Sequence, residues 1–552
     1  MICIAATPAT LSVAASFHRN IPGVNRSINL EHASTFSRPG KTATFALSPD
    51  ATSNVKVLTY HNDVARTGQN LEEKILTLSN VNPNSFGKLG FLAVDGLVDA
   101  EPLYVSNLIV AGQSHSVVFV VTEHDSVYAF DADTLAQLWH VSVLGSSETP
   151  SDNRNCGQVS PEIGITSTPV ITYNADRGLM YLVAMSKDTH GHYFQRLHAL
   201  DLTTGAEIIG APTTIEATFP NLKGRTTFNP RLYKERAALL FLDGIVFTSW
   251  ASHCDNGDYT GWVIGYSAAT LQRVNVLNVT PNGSDGAIWM SGAGPAADSK
   301  GNIYLLDANG TFDKTLNSSG FPIHGDFGNG FLKLSTSGAK LSVADYFNMH
   351  DTDAESSTDK DLGSGGAIVL PDFKDASGRT WQLAVGAGKD TRIYVVDRDS
   401  MGKFNPKNDN AIYQRIDHAL AGGVWAMPAY FENSVYLGAV HDSLKAFSIA
   451  NAKLVPSPVS KTSVTFAYPG TTPSISADGV SNGIVWAVEA RDRNAGVLHA
   501  YDASNLANEL YNSNQADGRD AFADNKYVTP MIASGKVFIA THNGVMVFGL
   551  LH

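Results

Sequence analysis

Asn309, Asp313, His324 and Asp326 fall in one polar stretch between two apolar runs, Ile303–Leu306 and Phe331–Leu334. A carboxamide, two carboxylates and an imidazole are the side chains that hold a cation, bind a polar ligand or accept a proton. The same kind of group recurs along the chain. Lys187-Asp188 with His190, Lys389-Asp390, His441-Asp442, Arg491-Asp492 and His542 each follow an apolar run, while Glu162 and Trp289 precede one. Asp and Asn also make ordinary turns, so residue type alone does not separate a site from a set of polar loops. What decides is whether the fold brings these loops together.

The elements that position them are short strands. In the stretch 114–140, SHSVVFVVTEHDSVYAFDADTLAQLWH, β-branched and aromatic runs alternate with turn residues, the pattern of an antiparallel meander. Its phrase VYAFD, ending at Asp131, returns as LHALD at Asp201, VIGYS at Ser267, FLKLS at Ser335, IYVVD at Asp397, LKAFS at Ser448, LHAYD at Asp502 and VMVFG at Gly549. The intervals run from 70 residues (131 to 201) down to 47 (502 to 549). Eight copies at this spacing predict an all-β, eight-bladed propeller of four-stranded antiparallel blades, with seven blades and a stray hairpin as the alternative. In such a ring the loops between second and third strands share one face with those that lead to the next blade. The polar residues above all belong to these two classes, and so converge on one mouth of the central channel.

Composition agrees with an all-β chain. Of 552 residues 43% are hydrophobic and only 16% charged, with 48 glycines. The net charge of −13 argues against a nucleic-acid partner, which would need a basic face. No apolar run reaches membrane length; the longest, 237–250, is broken at Asp243-Gly244 and reads as two buried strands.

Residues 1–53, rich in Ala, Ser and Thr, read as a tail, either a weak export signal or a disordered segment. Residues 54–552 read as a single propeller. Within it, 54–89 is a lead-in that wraps the ring. The strand Gly87–Val94 has no blade of its own, and the last blade lacks a fourth strand. Pairing the two closes the ring and removes an open sheet edge. The acidic segment 350–366 reads as a flexible surface loop without calcium-loop spacing. By the loop rule Cys156 and Cys254 share a face. A bridge between them and two buried free thiols both remain open.

The phrase VYAFDADTLAQLWH resembles the tryptophan-docking repeat of the pyrroloquinoline quinone (PQQ) propellers, the quinoprotein dehydrogenase-like superfamily. The lead-in YHNDVARTGQN…LSNVN…FGKL and the segment EPLYV are similar to that superfamily's entry into its first blade. The resemblance spans about residues 55–550. It implies a PQQ-dependent dehydrogenase that uses PQQ and a divalent cation such as Ca2+ on an alcohol or sugar, in the periplasm or secreted. The motif IWMSGAGPAADSKGNIYLLDANG is similar to the segment that supplies a cofactor-floor tryptophan and a metal-binding asparagine, here Trp289 and Asn309. GDFGNGFLKLS is similar to the catalytic aspartate phrase, here Asp326, and VGAGKDTRIYVVDRDS to the phrase whose lysine contacts the cofactor, here Lys389.

The chain also departs from that pattern. Cys156-Gly157 stands where the family's alcohol dehydrogenases have two adjacent cysteines. Lys187-Asp188-Thr189-His190 stands where their calcium-binding glutamate falls, and no CxxCH haem attachment is present. A second expectation therefore stands beside the dehydrogenase: a cofactor-free propeller that binds a protein or a glycan through the same face.

Overall fold

The structure is a computed structural model that describes residues 54–173, 178–208, 212–336, 340–490 and 495–552. Eight antiparallel blade sheets form the ring that the repeat predicts. The first blade is Leu103–Val110, Gln113–Val121, Ser126–Asp131 and Gln137–Ser142, counted from the channel outward. Its third strand is wholly buried. The Asp131 carboxylate accepts hydrogen bonds from the amides of Asp133 and Thr134 and so shapes the turn into the fourth strand. There the Trp139 indole donates to the carbonyl of Leu202 in the next blade at 3.0 Å. A Cβ on Gly205 (φ 69°) would lie 2.9 Å from that indole, so only glycine admits the docked ring. The repeat phrase thus encodes both a turn and a blade-to-blade contact.

The last blade contributes Met531–Ala533, Lys536–Ala540 and Gly544–Leu550. Its outer strand is Phe86–Ala93, paired antiparallel with Gly544–Leu550 from Phe86↔Leu550 to Ala93↔Gly544. The expected closure is present. Phe86 packs between Trp486 of blade seven (5.3 Å) and Phe548 of blade eight (6.4 Å).

Residues 54–70 of the lead-in do not wrap the ring; they run inside it. Lys56–Val57 pairs with the innermost strand of blade one, and Gln69–Asn70 lies parallel to that of blade seven. Between them, the carbonyls of Leu58, Val64, Ala65, Thr67 and Gly68 accept from Ile171, Ala297, Val369, Tyr430 and Ile475, the innermost strands of blades two, four, five, six and seven. Arg66 serves blade three, and Tyr60 meets Thr529 of blade eight through its hydroxyl at 3.2 Å. The reason is physical: an innermost strand leaves one row of backbone groups unpaired, and buried amides must find acceptors. His61, Asn62 and Arg66 take positive φ (59°, 69° and 63°) to turn the segment so tightly.

Segment 350–366 is also not a free loop. It holds a short helix, Thr352–Ser357, and buried Asp361, Leu362 and Ser364. Arg392 of blade five pins it through Asp351 and Glu355, each at 3.2 Å. Blade three confirms the break expected at Asp243-Gly244, with strands Leu240–Leu242 and Ile245–Ser252. Among the described residues no helix is long and apolar enough to cross a membrane.

Candidate functional site at the channel mouth

Asn309 and Lys389 meet at one carboxylate. Asn309 donates from Nδ2 to Asp359 Oδ1 at 2.8 Å, and the Lys389 ammonium reaches the same oxygen at 2.5 Å and Asp361 Oδ1 at 2.7 Å. Burial opposes the charge on Lys389, but Asp361 and Asp359 outweigh it and hold its pKa above the ordinary value. Asn309 Oδ1 is buried with no hydrogen-bond partner. Trp289 stands elsewhere on the mouth, edge-on to Tyr527 of blade eight at 5.3 Å and 83°. It is followed by buried Met290 and Ser291, both at positive φ (44° and 55°), strain of the kind concentrated at functional sites. Asp326 accepts from the amides of Asn282 (2.8 Å) and Gly283 (3.1 Å) through Oδ1. Burial raises its pKa despite these amides. Among the described residues it shares no hydrogen-bond partner with Trp289, Asn309 or Lys389.

Most of the other loop residues are engaged locally. His324 pairs with Asp313 at 2.9 Å, Glu162 with His124 at 2.8 Å, Lys187 with Asp152 at 3.1 Å and His192 with Asp188 at 2.9 Å. His542 contacts the Asp524 carbonyl, and Asp442 holds Lys445. These are turn and strand-end roles. Arg491 and Asp492 lie outside the described residues.

The structure adds residues that the sequence reading passed over. Strand Tyr233–Glu235 opens blade three on the channel side, and alternation along it puts Lys234 and Arg236 on one side of the chain. Both are buried, at 2% and 3% exposure. Neither side chain makes a hydrogen bond or an ion pair within 4 Å among the described residues. Burial, with Arg236 nearby, lowers the Lys234 pKa to about 8. A carboxyl stands close by: Glu123, whose pKa burial and then Asp99 raise well above the ordinary value, has Oε1 buried without a partner. Glu123 occupies the second-to-third-strand turn of blade one, so the loop rule applied to that blade too would have found it.

Aromatic rings line the same mouth. Tyr527 touches Trp289, its hydroxyl bonds that of Tyr468, and Tyr468 meets Trp425 at 5.5 Å. The Arg236 guanidinium lies 5.7 Å from the Tyr527 ring and Lys526 5.3 Å from the Tyr468 ring. Tyr527 borders two small spaces, of about 10 and 20 Å³.

For a bound group the donor set divides in two. Aromatic faces beside buried cations suit a planar anion. Calcium takes 6–8 oxygens. Asn309, Asp359 and Asp361 offer a carboxamide and two carboxylates, but as arranged the Lys389 ammonium stands where a divalent ion would have to sit. Among the described residues one other trio, His350, Asp351 and Asp409, has the spacing of a metal site. Arg392 and Arg415 already neutralise its carboxylates.

The face also carries a disulfide. Cys156 and Cys254 are bridged, with Cα atoms 5.5 Å apart.

No protein-family model matches the chain, and no curated protein matches it in sequence. Among solved structures it is similar to the quinohemoprotein alcohol dehydrogenase of Comamonas testosteroni, with a TM-score of 0.58 and 12% identity over 90% of this chain and 80% of that one. It is likewise similar to the quinohemoprotein alcohol dehydrogenase ADHIIG of Pseudomonas putida HK5, with a TM-score of 0.56 and 13% identity over 90% and 80%. At these identities the likeness is one of fold: the chain has the propeller fold of the quinoprotein dehydrogenases.

Proposed function

We propose that this propeller is a PQQ-type oxidoreductase acting on an alcohol or a sugar, with its cofactor at the channel mouth. The observation that carries the reading is a pair of buried cations without hydrogen-bond partners, Lys234 and Arg236, with the Arg236 guanidinium 5.7 Å from the ring of Tyr527, which itself meets Trp289. A planar polycarboxylate would take both the cations and the ring faces. The quinone, when bound, supplies the two-electron acceptor that the chain's own side chains lack. In this reading Trp289 is the floor under the ring, and Lys389, kept charged by Asp359 and Asp361, orients it. Asp326 takes the hydroxyl proton at Oδ2, since Oδ1 is held by two amides. Its burial-raised pKa brings it nearer that task. Asn309 Oδ1 is the ligand the chain would offer a divalent cation such as Ca2+, which requires Lys389 to release Asp359.

Entry of a planar cofactor requires Tyr527 and Tyr468 to move aside, because the spaces beside Tyr527 are about the size of one water. The same tightness favours the second reading, a cofactor-free propeller that presents this face to a protein or glycan. The Cys156–Cys254 bridge supports an exported protein, periplasmic or secreted.

The test is titration with PQQ, with and without Ca2+, followed by tryptophan fluorescence and then a dye-linked screen of alcohols and sugars. Saturable quenching that Lys234→Met weakens without altering the melting curve is the expected result. Absence of binding by wild type overturns the dehydrogenase reading in favour of the second.

A further inference from the structure

Lys234 has the surroundings of an amine that reacts, beyond one that carries charge. Its side chain is almost wholly buried and makes no hydrogen bond or ion pair among the described residues. Unlike the enclosed Oε1 of Glu123, its Nζ keeps accessible surface. Burial and then the Arg236 charge lower its pKa to about 8. About half of the amine is therefore neutral and nucleophilic at pH 8. The charged and titratable groups around it are Arg236 just past its own strand, Glu123 and Asp99 from blade one and its approach, and Asp255 with His253 from the second-to-third-strand loop of blade three. His253 stays neutral, because burial and then the Lys234 charge lower its pKa to about 3.

Arg236 is the second part of the arrangement. Its guanidinium is almost wholly buried and has no hydrogen bond or ion pair among the described residues. Gly292 (φ 94°) makes room for it, since a Cβ there would lie 2.6 Å from Nη1. A planar fork in this state lacks a carboxylate.

A proton donor is the third part. Glu123 Oε2 accepts from the Gly164 amide at 2.8 Å and the Thr166 hydroxyl at 2.9 Å. Burial and then Asp99 raise the Glu123 pKa well above the ordinary value, so this pair of carboxyls holds a proton at neutral pH. Asp99 accepts from Asn525 Nδ2 at 2.9 Å and borders the small space beside Tyr527, which brings the pair to the mouth. A desolvated amine beside a second cation, with an acid in reach, is the setting in which a lysine attacks a carbonyl.

We infer that Lys234 forms an imine with a small 2-oxo acid, whose carboxylate lies on the Arg236 guanidinium and whose carbonyl carbon meets Nζ. The neutral amine adds to the carbonyl carbon, and a proton passes from nitrogen to oxygen to give the carbinolamine. The C–O bond then breaks as the Glu123–Asp99 pair gives its proton to the hydroxyl, which leaves as water. The nitrogen lone pair closes the C=N bond. The products are a protonated imine and one water, and no electron enters or leaves the substrate. Entry needs Tyr527 to move aside, by less than a planar quinone would demand. The inference does not rest on the quinone reading, and its test contains no PQQ.

The test is incubation of the full chain at about pH 8 with pyruvate and sodium cyanoborohydride, which reduces the imine to a stable secondary amine, followed by intact mass and peptide mapping. One adduct per chain, mapped to Lys234, is the expected result. Acetone, which lacks the carboxylate, should label at least about ten-fold more slowly. Arg236→Gln should slow pyruvate labelling by a similar factor, and Lys234→Met should abolish the adduct, with melting curves checked for both variants. The wild-type map decides the matter even if a variant folds poorly. No adduct, or adducts spread over exposed lysines without preference for Lys234, overturns the inference. Equal labelling by acetone overturns the role of Arg236 and with it the 2-oxo acid.

Discussion

Arg66 Nη2 donates to the carbonyl oxygen of Leu239 at 3.0 Å, across 173 positions of sequence. The same guanidinium donates to Pro295 O (3.0 Å), Thr59 Oγ1 (2.6 Å) and Tyr60 O (2.8 Å). Its side chain is fully buried. A buried cation satisfied mainly by carbonyls is a structural hub, because buried backbone acceptors need donors.

Arg66→Ala should therefore lower stability by about 3–5 kcal/mol, since several buried carbonyls lose their donor at about 1–3 kcal/mol each. Urea unfolding measures it. Arg66→Lys should recover little, because an ammonium cannot reproduce the planar fork. Recovery to wild-type stability by lysine would show that charge alone matters.

Deleting residues 1–95 removes both the central segment and the closing strand, and exposes the edge of Gly544–Leu550. Size-exclusion chromatography should show association. Deleting residues 1–53 alone should leave a single sharp peak. If the longer deletion is equally well behaved, the closing strand is dispensable.

The cysteine bridge spans a separation of 98 residues. The chain-entropy model gives about 4–5 kcal/mol for a loop of this length. Of three cysteines, one free thiol, Cys3, should react in non-reducing denaturant, and all three after reduction. Three reactive thiols before reduction would rule the bridge out.

Stability should fall with rising pH through Glu101. Burial raises its pKa from 4.5 to about 8, against a hydrogen bond from the His61 amide and the Arg66 charge. The folded state thus binds the Glu101 proton more tightly than the unfolded state. The associated stability is complete below about pH 4.5 and is lost as pH rises towards 8, at up to about 1.4 kcal/mol per unit. Glu101→Gln should flatten this part of the profile. An unchanged slope in that variant would assign it to other groups.

Asp326→Asn should abolish dye-linked dehydrogenase activity and leave PQQ binding close to wild type, because the carboxylate is assigned proton transfer and not affinity. Equal loss of binding would make Asp326 a structural residue of the 280–285 turn, whose amides it already holds.

The ring was legible because the blades repeat the same local chemistry, a largely buried third strand followed by a turn. Its closure was legible because one unpaired strand and one incomplete blade are complementary. The path of residues 54–70 was not. Its partners are backbone groups of all eight blades, and no side-chain pattern marks an amide as unpaired. At the site, the loop rule brought Asn309 and Lys389 to one face, and they meet at Asp359. It missed Lys234 and Arg236, which lie on and beside a strand, where a short charged run between apolar neighbours carries no turn signal. Tyr527 carried no signal either, since nothing local shows that a tyrosine will meet Trp289 and Tyr468 at the mouth.

The central segment also sets an order of assembly. Residues 54–70 leave the ribosome before any blade, yet they accept hydrogen bonds from strands as far along as Ile475, and Asn70 donates to the carbonyl of Ile532, 462 positions away. Phe86–Ala93 waits for Gly544–Leu550 in the same way. Contacts of such separation form late. The first-made part of the propeller is thus the last to be satisfied, and the nascent ring must stay open around it until the eighth blade arrives.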